Sequence, residues 1–259
     1  MSINPDETLD RLTSRLRIIQ KRRGHRAATD DTLLAWAAAR ACPGAARILD
    51  LGSGKGTVAM LLLQRLPRCR VIGVEAFEMS HDIAARNARL NSLEDRWDPR
   101  LGDLRDPSVL RGEPPFDLIT GAPPFMPAGS GIMPGDAQRA AGRFELRGGV
   151  REYAEAAARH LAPGGRAVLL MDGLEKSRER AMQALTVSGL FPRAILAVCP
   201  RPGRNPIYRI FVAGSEPCQT AKDSLCIRAA GGSRFSPEFE AIRCELDCTG
   251  ANPANQGHP

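Results

Sequence analysis

Ile48-Leu49-Asp50-Leu51-Gly52-Ser53-Gly54-Lys55-Gly56-Thr57 is the stretch on which the fold turns. Its first residues are a short apolar strand pattern ending around an acid. Three glycines follow at alternate positions, and Thr57 opens an apolar run of helical length, 57–66. A strand that enters a helix through glycines lets a ligand approach the backbone closely.

Three ligands compete for such a loop. A phosphate-binding loop needs a glycine five positions before Gly54, and that position is Leu49. A dinucleotide loop needs its third glycine one residue later than Gly56. Asp50 would also repel a phosphate in either case. S-adenosylmethionine carries no phosphate; its sulfur is cationic and its methionine end bears an ammonium, so Asp50 attracts it. Glu75 lies twenty-one residues after Gly54, at the end of the next strand pattern, where a carboxylate can hold ribose hydroxyls. Asp103, beside Leu104 after a weak third strand, is placed to accept from the adenine amino group. The expected cofactor is therefore S-adenosylmethionine, and no metal is required.

Outward from the loop, strand and helix patterns alternate. Strands are predicted over 48–51, 69–75, 100–103, 116–120 and 167–171, with helices over 57–66, 80–93, 151–161 and 175–188. Alternation of this kind gives an α/β, doubly wound parallel sheet with helices on both faces. The last two strands, 194–199 and 208–213, are joined by a Pro/Gly/Arg segment too short for a helical crossover. They form a hairpin, which puts one antiparallel strand in the sheet. Upstream, residues 1–31 form a basic arm with Arg11, Arg15, Arg17, Lys21, Arg22, Arg23 and Arg26. The Thr29-Asp30-Asp31 stretch caps a helix over 32–41. The domain proper spans 32–215. Residues 216–259 form an extension with four of the seven cysteines, and its end, 250–259, is expected to be disordered.

Composition narrows the class. The chain has 259 residues, 43% of them hydrophobic, enough for one sizeable core. No apolar run approaches the length of a membrane span. The first residues lack a basic region followed by an apolar run, so no signal peptide is expected, and a cytoplasmic protein with reduced thiols follows. The spacing of Cys218, Cys226, Cys244 and Cys248 lacks the close pairs of structural zinc sites. A net charge of +7 admits an anionic partner such as RNA. The basic arm, with Arg201, Arg204 and Arg209, either tracks a phosphate backbone or is a solvated surface. Aromatic residues are only 5%, too few for a broad stacking platform. His81 and His160 are read as surface or packing residues, and Lys55 as a solvent-facing residue at a helix start.

At the glycine loop, Glu75 and Asp103 the chain resembles the class I S-adenosylmethionine-dependent methyltransferases. Leu16-Arg-Ile-Ile-Gln20 and Thr29-Asp30-Asp31-Thr32-Leu33-Leu34-Ala35 narrow the resemblance to the bacterial tRNA adenine-N6 methyltransferases. Leu161-Ala-Pro-Gly-Gly165 and Pro202-Gly-Arg-Asn-Pro-Ile-Tyr-Arg209 agree with it. The likeness covers roughly 9–214. It implies a Rossmann-like seven-stranded sheet. It also implies a cofactor site lined by Thr29, Asp30, Asp50, Gly52, Ser53, Gly54, Glu75, Ala76, Asp103, Leu104 and Gly121.

The catalytic motif of that family reads Asn-Pro-Pro-Tyr or Phe. Its Asn side chain and a backbone carbonyl accept hydrogens from the amine to be methylated, and its aromatic ring stacks on the base. Here the stretch is Gly121-Ala122-Pro123-Pro124-Phe125. Phe125 and the Pro123 carbonyl remain, but Ala122 supplies no side-chain acceptor. Losing one oriented group can cost several kcal/mol of transition-state stabilisation. The Gly/Pro/Arg-rich loop that follows offers Arg139, Arg143, Glu145 and Arg147 as a substrate lid or as locally paired solvent residues. Three activities stay open: an RNA methyltransferase, a methyltransferase of a small molecule or protein, and a cofactor-binding module whose catalytic site is lost.

Overall fold

The computed structural model describes residues 3–127 and 129–249. The segment 250–259, expected to be disordered, lies outside the described residues. The chain runs β1 (Glu7–Arg11), β2 (Arg17–Lys21), α1 (Thr29–Ala41), β3 (Arg47–Leu51), α2 (Thr57–Arg65), β4 (Arg70–Glu75), α3 (Glu78–Leu90) and β5 (Trp97–Leu101). It continues through β6 (Phe116–Gly121), α4 (Ala137–Arg143), α5 (Val150–His160), β7 (Leu161–Asp172), α6 (Glu175–Val187), β8 (Phe191–Cys199), β9 (Tyr208–Gly214), β10 (Ala221–Cys226) and α7 (Pro237–Glu245).

Eight strands form the main sheet in the order β10-β8-β9-β7-β6-β3-β4-β5. β9 is antiparallel to both neighbours, and every other pairing is parallel. The expected α/β architecture is present, with one strand more than the seven implied by resemblance. That strand is β10, paired in parallel with the outer edge of β8 from Ala221↔Ala194 to Cys226↔Cys199. Residues 216–249 are thus joined to the sheet, and α7 behind β10 buries Phe239 and Ile242 in the same core as α1.

Period-two alternation divides the core in two. Ile48, Leu118, Val168 and Ile210 face the side covered by α1, α2 and α7. Leu49, Leu51, Ile119, Leu169 and Phe211 face α5 and α6. Both faces are covered, so the central strands are apolar on successive residues.

In place of the expected basic arm over 1–31, the described residues from 3 onward are built into the fold. β1 and β2 form an antiparallel hairpin, Glu7↔Lys21 to Arg11↔Arg17. Its arginines 11, 15, 17, 22 and 23 are exposed. Beneath them Leu12, Leu16, Ile18 and Ile19 are buried. A buried bidentate ion pair, Arg86 to Glu7 at 2.8 and 2.7 Å, fastens the hairpin to α3. The Arg86 hydrogen bonds hold the Glu7 carboxyl far down, at about 2. Helix α1 also starts earlier than 32, with Ala28 as its cap residue. The Ala28 amide donates to Asp31 Oδ2 at 3.0 Å, so Thr29 and Asp30 lie in the first turn and neither is the cap residue.

Candidate active site

Strand order reverses beside β3: the chain proceeds from β3 to β4 and β5 on one side, and to β6 and β7 on the other. The loops at the carboxyl ends of β3 and β6 diverge there and leave a crevice, the usual ligand position in such sheets. Leu51 pairs with Gly121 in register, so the glycine loop and Ala122 emerge side by side. Glu75 pairs with Leu101 on the next strands.

A pocket occupies this crevice. Its wall includes Asp30, Asp50, Gly52, Ser53, Gly54, Glu75, Ala76 and Leu104 among the expected cofactor residues. Ala122, Pro123, Pro124, Phe125 and Arg147 complete the expected set on the wall. Thr29, Asp103, Gly121, Arg139, Arg143 and Glu145 do not border it.

The glycine loop is locked by what surrounds it. Gly52 has φ +62°, and a Cβ there would lie 2.0 Å from the Tyr153 hydroxyl. Gly56 has φ +88°, and its Cβ would strike the Trp97 ring at 1.9 Å. Both backbone conformation and space therefore demand glycine. The Gly54 amide donates to Glu75 Oε2 at 2.8 Å, and the Phe77 amide donates to Glu75 Oε1 at 2.7 Å. These bonds aim the Glu75 carboxylate at the loop while leaving each oxygen further acceptor capacity.

The acids on the wall are strained electrostatically. Asp50 is 2% exposed; Oδ1 accepts from the Thr120 hydroxyl at 2.7 Å and Oδ2 has no partner. Burial drives its pKa up to about 7, assisted by the charges of Asp31 and Glu75. Asp30 Oδ1 is likewise buried without a partner, and burial with the neighbouring Asp31 lifts its pKa to about 7. Burial also raises Glu75. The Ser53 hydroxyl is buried and unpartnered as well. Unsatisfied buried acceptors of this kind are costly unless a ligand completes them. A cationic ligand with an ammonium and two adjacent hydroxyls fits them, which is the chemistry of S-adenosylmethionine.

The expected acceptor for adenine is differently engaged. Asp103 is held by Arg105, with Nη2 at 2.6 Å from Oδ2 and the Arg105 amide at 2.9 Å from Oδ1. Those hydrogen bonds lower its pKa. Gly102 and Leu104 form the wall there instead. Gly121 sits behind Tyr153, whose ring a Cβ would meet at 2.8 Å.

Residues between 138 and 148 border the crevice. Gln138, on α4, donates to Ser80 Oγ at 3.0 Å and accepts from the His25 amide at 3.0 Å, tying α4 to α3 and to the hairpin's exit. Arg139 reaches the Gly24 carbonyl at 3.4 Å. Glu145 forms an ion pair with Arg180, and Arg147 donates to the Ala76 carbonyl. The loop carboxylate and two of its arginines are thus engaged within the protein.

Sequence reasoning missed His25, Asp31, Lys55, Ser80, Gln138 and Tyr153, all on the wall. Lys55 corrects the solvent-facing reading outright, because it is 4% exposed. His25 is exposed at the mouth of the pocket, and the neighbouring charges of Lys55, Arg139 and Arg143 push its pKa down. His160 is edge-on to Phe116 at 6.5 Å, and His81 contacts the Pro99 carbonyl at 3.1 Å; neither lines the pocket.

A doubly wound sheet with an acid-bearing glycine loop at its switch point defines an S-adenosylmethionine-dependent methyltransferase. Residues 48–127 match the model of the methyltransferase domain family. A tRNA1(Val) (adenine(37)-N6)-methyltransferase from Tolumonas auensis is 30% identical over 88% of this chain and 92% of its own. One from Porphyromonas gingivalis is 31% identical over 83% and 85%. The chain belongs to this tRNA1(Val) (adenine(37)-N6)-methyltransferase family. The crystal structure of a predicted O-methyltransferase from Agrobacterium tumefaciens shares the fold, with a TM-score of 0.63, 21% identity, and coverage of 84% of this chain and 97% of that one.

Proposed function

We propose that this methyltransferase acts on a base amino group of tRNA. The observation that carries the reading is the pair of unpartnered buried carboxylate oxygens, on Asp50 and Asp30, in the pocket that Ala122-Pro-Pro-Phe also walls. A site built to attract a cation beside a loop that can receive a flat base suits methyl transfer to an amine. The RNA part rests on the family and on the exposed arginines of the hairpin, which leads into His25 on the pocket wall.

Asp50 and Asp30 would hold the cationic amino-acid end of S-adenosylmethionine, and Glu75 its ribose hydroxyls. The adenine would rest between Gly102, Leu104 and neighbouring apolar groups. Once bound, the cofactor supplies an electrophilic methyl group on a sulfonium. The protein's own part is positioning. Phe125, half-buried on the wall, would stack on the target base, while the Pro123 carbonyl accepts one amine hydrogen. The α4 loop, latched through Gln138, would exclude water.

A second reading is favoured by Ala122, whose methyl group is exposed on this wall where the family carries a side-chain acceptor. A smaller or differently oriented nucleophile, on a metabolite or a protein, would then be the acceptor. Methyl transfer from isotope-labelled cofactor into tRNA from cells lacking this protein separates the two. Labelled methyladenosine in the digested nucleosides is the expected result. Unlabelled RNA, with cofactor binding confirmed on the same preparation, would overturn the RNA reading. No helix among the described residues is long and apolar enough to cross a membrane.

A further inference from the structure

S-adenosylmethionine is a zwitterion at its methionine end, so a complete site needs a cation for the carboxylate as well as acids for the ammonium. Among the charged residues on the wall, the arginine and lysine side chains are those of Arg147 and Lys55. Arg147 is occupied at the ribose side, where it donates to the Ala76 carbonyl. Lys55 lies at the other end, in the electrostatic reach of Asp31 and Asp30 but too far from either for an ion pair. The residue as a whole is only 4% exposed. Among the described residues its ammonium makes no hydrogen bond and no ion pair. His25, also on the wall, is exposed, whereas Lys55 lies within the pocket.

An unpaired ammonium on an otherwise buried residue, opening onto a pocket, is costly, and a ligand carboxylate there would supply its counter-charge. The backbone keeps it in place: the Lys55 carbonyl accepts from Asn87 Nδ2 at 3.0 Å, and Asn87 is itself fully buried, bonded to Ile19 of the hairpin. Gly54 and Gly56, on either side, both have positive φ. We propose that Lys55 is the counter-ion of the cofactor's methionine carboxylate, a role that no family motif quoted above assigns to the glycine loop. Burial depresses the Lys55 pKa in the free protein, and a bound carboxylate would restore it.

The inference rests on the cofactor site proposed above, and its test distinguishes the two. Titration calorimetry would compare S-adenosylmethionine with its decarboxylated analogue, which keeps the sulfonium and the ammonium. Wild type should prefer the carboxylate-bearing form by about tenfold to hundredfold, the range for a hydrogen bond between charged groups. In Lys55→Met that preference should vanish, because the loss falls on S-adenosylmethionine alone. Lys55→Gln, a polar variant of similar length, should behave the same way and guards against a folding defect in the first. Preference retained in both variants would overturn the role of Lys55, as would absence of preference in wild type. Failure of wild type to bind either compound would instead overturn the cofactor site itself.

Discussion

Along β3 and β4 the pocket is walled by carboxylates with unused acceptor capacity; along β6 it is walled by Ala122, Pro123, Pro124 and Phe125. The first half is electrostatically demanding. Asp50 is buried and Asp30 and Glu75 are half-buried, Asp50 and Asp30 have unpartnered oxygens, and the glycine loop accepts only glycine at 52 and 56. The second half is sterically shaped but chemically sparse, with no side-chain acceptor at position 122. The two halves meet through one register pair, Leu51 with Gly121. The difference predicts that cofactor capture and acceptor chemistry are separable in this protein. On the proposed reading a ligand charge would satisfy the first half, and backbone groups and shape would have to suffice in the second.

The comparison breaks most readily at Asp50. Replacing it by Asn should weaken S-adenosylhomocysteine binding by about 30-fold, from loss of about 2 kcal/mol of charged hydrogen bonding. An unchanged affinity by calorimetry would mean that the acid half does not hold the amino-acid end.

The next effect is pH dependence. The free Asp50 carboxyl has a pKa of about 7, and a bound ammonium lowers it. Below that value binding must expel a proton, so affinity rises with pH and flattens above it. Between about pH 6 and pH 8 the gain should be about tenfold per linked proton. Asp50→Asn should remove its share and leave that of Asp30, which is also raised to about 7. A flat profile in wild type would contradict the perturbed acids.

Gln138→Ala should sharpen the contrast from the other side. It unfastens α4 from Ser80 and His25, each bond worth about 1 kcal/mol. KM for the methyl acceptor should rise severalfold while cofactor affinity stays within about twofold. Equal losses in both would show that the loop belongs to the cofactor half. The smallest effect is expected for Asp103→Asn. Its carboxylate is already held by Arg105, so cofactor affinity should change by less than about threefold. A larger loss would show that Arg105 releases it when the cofactor binds.

Much of this layout was legible in the sequence because strand and helix periodicities alternate so regularly from Ile48 to Gly214. The glycine loop, Asp50 and Glu75 were legible because each sits at a strand end. The hairpin was hidden by its composition: arginines at 11, 15 and 17 mask the buried Leu12, Leu16 and Ile18. β10 was hidden because an edge strand reading Ala-Lys-Asp-Ser carries no alternation of apolar residues. Lys55 was misplaced because nothing local reveals where a lysine between two glycines points. Its backbone is held by Asn87, which also bonds the hairpin, both far away in sequence. Asp103 is the opposite case: its partner, Arg105, stands two residues on, and only the local geometry of that turn shows that the two side chains pair.

The separability of the two halves is tested most directly by Ala122→Asn, with both halves measured on one preparation. S-adenosylhomocysteine affinity by calorimetry should stay within about twofold of wild type. Methyl transfer to tRNA adenine should rise by at least about tenfold, since an oriented polar group returns to the acceptor half. A large change in cofactor affinity, or an unchanged rate with RNA still bound, would contradict the account.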